Sequence, residues 1–189
     1  MCCEEGASAP SAFASVVRGA VLAGGLALAG CGSGKKVVEF AGTTPVLDPI
    51  GFFTGHVRSW GVLERSGAPT DVVVTDCIGT GEPDGSLHMV QTLDVGSDRS
   101  HRDWHLRRTG TGQYEATAND MVGVAHGEAS GRAFHWTWTL AIKPGNSLFN
   151  VTMDQWWYAF DDGTMLNRTN ISKLGVTVAE VTERFAPVR

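Results

Sequence analysis

The strongest constraint on the fold is a two-residue alternation of apolar and polar side chains over much of the chain. In RAFHWTWTLAI, the apolar residues Phe134, Trp136, Trp138, Leu140 and Ile142 occupy every second position. Successive side chains of a β-strand point to opposite faces, so this spacing predicts a strand with one apolar face. The same alternation runs through SLHMVQTLDV, and further strand-like stretches are DVVVTDCIG, GQYEATAND, LFNVTMDQWWYAF, TMLNRTNIS and GVTVAEVTERF.

Short turn sequences separate these stretches, namely PDG, GSD, TGTG, SGR, KPGNS and DDGT. Glycine, proline, asparagine and aspartate at such spacing favour tight turns between antiparallel strands. The pattern indicates about 8–10 strands, for which an up-and-down barrel or a sandwich is the fitting architecture. Because closure removes exposed strand edges, we predict an all-β fold built as an antiparallel up-and-down barrel.

The N-terminus has the layout of an export signal. Arg18 precedes an apolar run from Ala20 to Ala29, which is shorter than the roughly 20 apolar residues that a membrane-spanning helix needs. The run ends in Leu28-Ala29-Gly30-Cys31, which resembles the bacterial lipobox. We therefore predict a lipoprotein signal peptide over 1–30, a lipidated tether over 31–46 and a β-barrel domain over 47–189.

The lipobox resemblance implies cleavage before Cys31 and acylation of that residue, so membrane lipid is the expected partner. Two or three acyl chains anchor a protein stably. The expected location is the periplasmic face of a bacterial cell envelope. Because Gly32 rather than aspartate follows Cys31, the resemblance to sorted lipoproteins favours the outer membrane over the inner one.

Composition excludes some partners and cross-links. The formal net charge is −5, without a basic stripe of the kind that binds nucleic acid, so no nucleic-acid partner is expected. Cys77 is the one cysteine that would follow the lipidated position, which leaves no intramolecular disulfide. We interpret Cys77 as a small buried apolar residue. Oligomeric state is left open.

The histidine-rich stretch HRDWH is the most metal-like motif. His101 and His105 would share a metal on a helix, but on a strand they lie about 13 Å apart, beyond shared ligation. Since the stretch reads as turn and strand, we expect no metal site and no cofactor. GEASG is not a nucleophile elbow, because Ser130 sits one place late. We therefore name no catalytic residue and do not favour an enzyme.

The segment MDQWWYAFDDG is the densest candidate for a binding site. Asp154, Trp156 and Tyr158 share one strand face, and the alternating residues share the other. If Asp154 faces a barrel interior, its charge must be paired, which would indicate a ligand cavity. The alternative is a carboxylate on the outer face. The tentative ligand-binding set is Trp60, Trp136, Trp138, Asp154, Trp156, Arg168 and Lys173.

Three segments resemble DUF3833, a bacterial family of proposed lipoproteins. They are DPIGFFTGHVRSWGVLERSG (48–67), NDMVGVAHGEASGRAFHWTWTL (119–140) and MDQWWYAFDDGTMLNRTNISKLGVTVAEVTERF (153–185). The resemblance implies a lipocalin-like barrel, and it supplies neither a substrate nor catalytic residues. The chain departs from the family pattern at Gln155 and Trp157, where the family carries an aspartate and a methionine.

These observations lead to one expected function and two alternatives. We expect a membrane-anchored, periplasm-facing barrel that binds or carries a small hydrophobic molecule or lipid, because barrels of this size suit single ligands. The first alternative is a structural envelope protein that acts through surface contacts without a ligand cavity. The second is an enzyme, for which Asp154, Arg168 and Lys173 are the residues to inspect.

Overall fold

The computed structural model describes residues 34–189, and these form a closed barrel of ten antiparallel strands. Each strand pairs with its neighbours in sequence, and the last strand pairs with the first. This architecture confirms the predicted all-β, up-and-down, lipocalin-like barrel. The strands are β1 (Gly55–Arg65), β2 (Asp71–Gly81), β3 (Leu87–Val95), β4 (Asp98–Gly110), β5 (Gln113–Ala118), β6 (Met121–Ser130), β7 (Ala133–Ala141), β8 (Asn150–Ala159), β9 (Met165–Lys173) and β10 (Val176–Pro187).

Alternate residues of every strand point into the barrel. On β7, Phe134, Trp136 and Trp138 are all less than 9% exposed, and this is the apolar face that the sequence predicts. Cys77 on β2 is fully buried, in line with its interpretation as a small apolar residue. A ten-stranded barrel has a wider interior than an eight-stranded one, so side chains need not fill it completely.

One end of the barrel is closed by the short helix α1 (Pro49–Phe53). The ring of Phe53 packs edge-on against Trp157 and Phe185, with ring centroids 5.5 and 5.9 Å away. Close approach of this helix requires Gly79, because a Cβ there would lie 1.9 Å from the backbone oxygen of Phe53. This end is therefore a packed aromatic plug.

The segment that precedes α1 lies along the outside of the barrel. It contains the 3-10 helix Val37–Phe40, and a second 3-10 helix, Ser147–Phe149, leads into β8. The Thr43 hydroxyl oxygen accepts a hydrogen bond from the backbone of Arg132 at 2.9 Å, and the Leu47 amide donates to the Gly131 carbonyl at 2.8 Å. These bonds attach the segment to the turn between β6 and β7.

The predicted signal peptide, 1–30, and the predicted lipidated Cys31 lie outside the described residues. Within residues 34–189, no helix combines the length and apolar character needed to cross a membrane.

Candidate functional site

The barrel encloses a cavity of about 200 Å³. Its wall is mostly apolar, and it reaches from the α1 plug towards the opposite end of the barrel. At that opposite end the lining residues Leu93, Val95 and Ile171 are partly exposed, which indicates where a ligand would enter. The aromatic part of the wall consists of Phe53, Trp104, Phe134, Trp136, Trp157 and Phe185.

A set of polar side chains interrupts this apolar wall, and we call it the polar belt. Each member occupies an inward-facing position of its strand and lines the cavity. The belt residues are Gln91, Arg102, Gln155, Asn167, Thr169 and Glu183.

Glu183 is the buried carboxyl group of the belt, with 7% of the residue exposed. Its Oε1 accepts hydrogen bonds from the hydroxyls of Ser59 and Thr75 at 2.6 and 2.7 Å. Burial raises the pKa of Glu183, and these two bonds and the charge of Arg102 offset only part of that rise. A protonated carboxyl group can donate a hydrogen bond, so Glu183 can serve as a donor to a bound molecule.

Gly61, on the neighbouring strand β1, makes room for this carboxyl group. A Cβ at Gly61 would lie 2.7 Å from Cγ of Glu183 and 2.1 Å from the carbonyl oxygen of Thr182. Any larger residue would therefore displace the backbone or the Glu183 side chain. The glycine is part of how the sequence places an ionisable group inside the barrel.

Gln155 organises the second polar cluster of the belt. Its Oε1 accepts hydrogen bonds from the indole nitrogens of both Trp136 and Trp138, each at 2.7 Å. Its Nε2 donates to Thr169 Oγ1 at 3.0 Å, and that hydroxyl donates to Asn167 Oδ1 at 2.8 Å. This chain of bonds fixes the Trp136 ring in the cavity wall and the Trp138 ring beside it.

Arg102 supplies the positive charge of the belt. Its Nε lies 2.6 Å from Oδ2 of Asp120, and the two side chains are 12% and 24% exposed. The guanidinium carbon also lies 5.3 Å from the centroid of the Trp138 ring, within cation–π range. The second oxygen of Asp120 is buried without a hydrogen-bond partner among the described residues.

Trp157, which also lines the cavity, has an indole N–H group without a hydrogen-bond acceptor among the described residues. Its indole Nε1 is buried and has no hydrogen-bond partner within residues 34–189. Most buried donors in proteins are hydrogen-bonded, to protein or to water. A bound molecule that carries an acceptor oxygen, or a water, would satisfy it.

The structure divides the residues that the sequence suggested as ligand-binding. Trp136 lines the cavity, and Trp138 is buried beside it in the Gln155 cluster. Asp154 points outwards, and its Oδ1 lies 3.1 Å from Nε2 of His135, from which it can accept a hydrogen bond. The remaining suggested residues also lie away from the cavity, on outward-facing strand positions or at a strand end: Trp60, Trp156, Arg168 and Lys173.

The outward-facing rings of Trp156 and Tyr158 on β8 contact the segment that precedes α1, which we call the N-terminal segment. Lys35 Nζ donates to the Tyr158 hydroxyl at 2.6 Å and lies 5.0 Å from the centroids of both the Tyr158 and Trp156 rings. Phe40 packs on the same two rings at 6.4 Å from Trp156 and 5.7 Å from Tyr158. This cluster is therefore occupied by the protein's own chain.

Sequence reasoning did not single out Glu183, Arg102 or Gln155 as site residues. The sequence does contain a feature that could have identified Glu183, because this residue lies between Val181 and Phe185 on one apolar face of a strand. A carboxylate on an apolar face costs free energy unless it is paired or neutral, which makes it a candidate functional group. The partners of Gln155 come from other strands and leave no local signal.

The comparisons with known proteins agree with this architecture. The structure of the S-type phycobiliprotein lyase CPES from Guillardia theta is similar, with a TM-score of 0.52, 11% sequence identity, and coverage of 74% of this chain and 89% of that chain. At this identity the likeness concerns the fold. No curated protein matches the sequence. The family model of DUF3833, a protein family of unknown function, matches residues 25–186, and the chain therefore belongs to the DUF3833 family.

Proposed function

We propose that this protein is a membrane-anchored barrel that binds a small, mainly apolar molecule carrying a hydrogen-bond acceptor. The observation that carries the proposal is the cavity of about 200 Å³, whose apolar wall is interrupted by the polar belt. Ligand sites in proteins commonly combine an apolar lining with a few placed polar groups. The barrel fold alone would not support a ligand-binding function, because one fold can have many functions.

The size of the cavity limits the ligand. An apolar cavity of about 150 Å³ accommodates benzene. A cavity of about 200 Å³ therefore suits a somewhat larger molecule or one short acyl chain. A longer lipid would have to displace lining side chains or extend past Leu93 and Val95 at the open end.

The polar belt defines the ligand's polar group. Both Glu183 and Trp157 line the cavity, and the Glu183 carboxyl group when protonated and the Trp157 indole are hydrogen-bond donors. Arg102 adds positive charge, already balanced in part by Asp120. A carbonyl, ester or carboxyl oxygen fits these donors, so short-chain fatty acids and their esters are the first compounds to test.

The proposed anchor is the acylated Cys31. The supporting observation is the sequence Leu28-Ala29-Gly30-Cys31 after an apolar run, which lies within the range matched by the family model. Lipidation here would hold the barrel at the periplasmic face of a bacterial envelope, at the outer membrane in our proposal. Mass spectrometry of the mature N-terminus tests it: a diacylglyceryl cysteine at position 31 supports the anchor, and an unmodified residue contradicts it.

A displacement titration tests the ligand proposal. The fluorescent probe 1-aminoanthracene is added to the protein, and straight-chain fatty acids of increasing length are then used to displace it. Leu93→Trp fills the cavity and should weaken probe binding about tenfold or more, which corresponds to about 1.4 kcal/mol. Val90→Trp places the same ring on the outer face of the same strand, where Val90 is 43% exposed, and should leave binding unchanged.

A structural role in the envelope is the second candidate. It is favoured by apolar side chains that are exposed on the outer faces of β1 and β2, where Trp60, Val72 and Ile78 are 53%, 64% and 52% exposed. Exposed apolar side chains of this kind occur at protein–protein contacts when they form a continuous patch. If wild-type protein binds neither probe nor fatty acid while a Trp60→Ser variant loses a co-purifying envelope protein, this second candidate replaces the first.

A further inference from the structure

A cluster of two histidines and one aspartate lies on the outer surface of β3 and β4, away from the cavity. His88 and His105 are directly opposite each other across the strand pair, and Asp103 precedes His105 by two positions on the same face. The side chains of His88, Asp103 and His105 are 35%, 52% and 67% exposed. The strand ladder therefore fixes three metal-ligating side chains at one surface point.

The distances in this cluster approach those of a metal site. His88 Nε2 lies 2.7 Å and His105 Nε2 3.6 Å from Asp103 Oδ1, and one ligand atom of each residue lies within 4.8 Å of the others. Zinc binds imidazole nitrogen and carboxylate oxygen at about 2.0–2.2 Å, which places tetrahedral ligands roughly 3.3–3.5 Å apart. The ligand atoms therefore have to shift by no more than about 1.5 Å to reach that spacing.

The orientation of the rings supports the same interpretation. The His88 and His105 rings are stacked, with centroids 4.8 Å apart and an interplanar angle of 12°. In this arrangement both Nε2 atoms lie near the same carboxylate oxygen, Oδ1 of Asp103. The Asp103 backbone amide donates to Asn119 Oδ1 at 2.9 Å, which holds this part of β4 in place.

We propose that His88, Asp103 and His105 form a surface binding site for a divalent transition-metal ion of the zinc type. Three protein ligands leave a fourth position, which water can occupy at this exposed site. The site is independent of the cavity ligand proposed above. His101 is not part of this cluster, because it lies opposite Thr92, four positions from His105 along β4, and its Nδ1 lies 3.1 Å from Thr92 Oγ1.

Zinc titration of the tag-free full chain, followed by calorimetry, tests this proposal. The wild type should bind zinc with a dissociation constant that increases about tenfold or more in His88→Ala, Asp103→Asn or His105→Ala. The control is His126→Ala, which removes an exposed histidine whose Nδ1 lies 3.4 Å from a carboxylate, that of Glu115, and should leave affinity unchanged.

Cys2, Cys3 and Cys31 are present in the full chain of the wild type and of every variant, so any zinc that their thiols bind is the same in each protein compared. Histidine proton resonances give a second measurement, because zinc should shift the signals of His88 and His105 but not that of His126. The proposal is overturned if the variants bind zinc as tightly as the wild type, if His126→Ala weakens binding equally, or if the His88 and His105 signals do not move.

Discussion

The two faces of β8 carry similar side chains but have different roles. The inward face holds Gln155 and Trp157, which belong to the cavity wall. The outward face holds Asp154, Trp156 and Tyr158, which contact His135 and the N-terminal segment. Each face combines aromatic rings with polar groups, so composition does not distinguish them.

The two faces differ in how far their polar groups can reach water. Polar groups on the inner face are shielded from bulk solvent and depend on partners inside the barrel, and Gln155 is such a partner for two indole nitrogens. The outer groups can exchange their partners for water at small cost. The same residue types therefore form the cavity wall on the inside and attach the N-terminal segment on the outside.

Replacing the tryptophans of the two faces should give the largest contrast. Trp157→Ala removes a ring that is 6% exposed and packs 5.0 Å from Phe185. We expect it to lower the free energy of unfolding by about 3–5 kcal/mol. Trp156→Ala removes stacking on His135 and should cost about 1 kcal/mol. Urea denaturation measures both, and equal losses would refute the assignment of the two faces.

Replacing one polar side chain on each face of β8 should give the next largest difference in stability. Gln155→Leu leaves the indole N–H groups of Trp136 and Trp138 without their acceptor, and each orphaned donor costs about 1–3 kcal/mol. Since leucine recovers some packing, we expect a net loss of about 2 kcal/mol. Asp154→Leu on the outer face should cost less than about 1 kcal/mol. Thermal or urea denaturation would contradict the account if the order were reversed.

The buried carboxyl group of Glu183 should make the free energy of unfolding depend on pH, whereas the outward-facing one of Asp154 serves as the control. Because burial raises the pKa of Glu183 in the folded state, its favourable contribution is complete below the unfolded value near 4.5 and is lost as pH rises through the folded value. Glu183→Gln keeps an acceptor for Ser59 and Thr75, and should make stability at neutral pH higher than in the wild type. Asp154→Asn is the matched exposed control.

Stability curves from about pH 5 to about pH 8 measure this effect. In this range the wild type should lose stability relative to Glu183→Gln as pH increases. A constant difference between the two proteins would show that Glu183 does not titrate with a raised pKa.

The smallest expected effect concerns attachment of the N-terminal segment. Lys35→Ala removes the hydrogen bond to Tyr158 and the contacts with two rings, which together are worth about 0.5–1 kcal/mol at an exposed site. Hydrogen exchange of the Thr43 amide, bonded to the Phe40 carbonyl at 3.1 Å, should accelerate. Lys36→Ala, one position on, should leave that exchange rate unchanged.

The sequence predicts the barrel well, because alternation is a local property of each strand. Phe134, Trp136 and Trp138 point inwards as their spacing indicates. The sequence alone does not determine which face of β8 points into the barrel, since both faces carry tryptophan. That choice depends on pairing with β7 and β9, where Gln155 faces Trp136 and Thr169.

The same limit applies to the His88, Asp103 and His105 cluster and to the polar belt. The stretch HRDWH contains only Asp103 and His105 of that cluster, because His88 comes from the neighbouring strand. Glu183 likewise meets Ser59 and Thr75 from strands far away in the chain. Contacts of this kind depend on strand register, which a single sequence does not specify.

We propose that the barrel interior binds a small apolar ligand through the polar belt, and a crystal structure of the protein with 1-aminoanthracene bound would test this. We expect electron density for the probe inside the barrel, in contact with Leu93 and Trp136 and next to Glu183. Density for the probe only on the outer surface, with the interior side chains closed around one another, would contradict it.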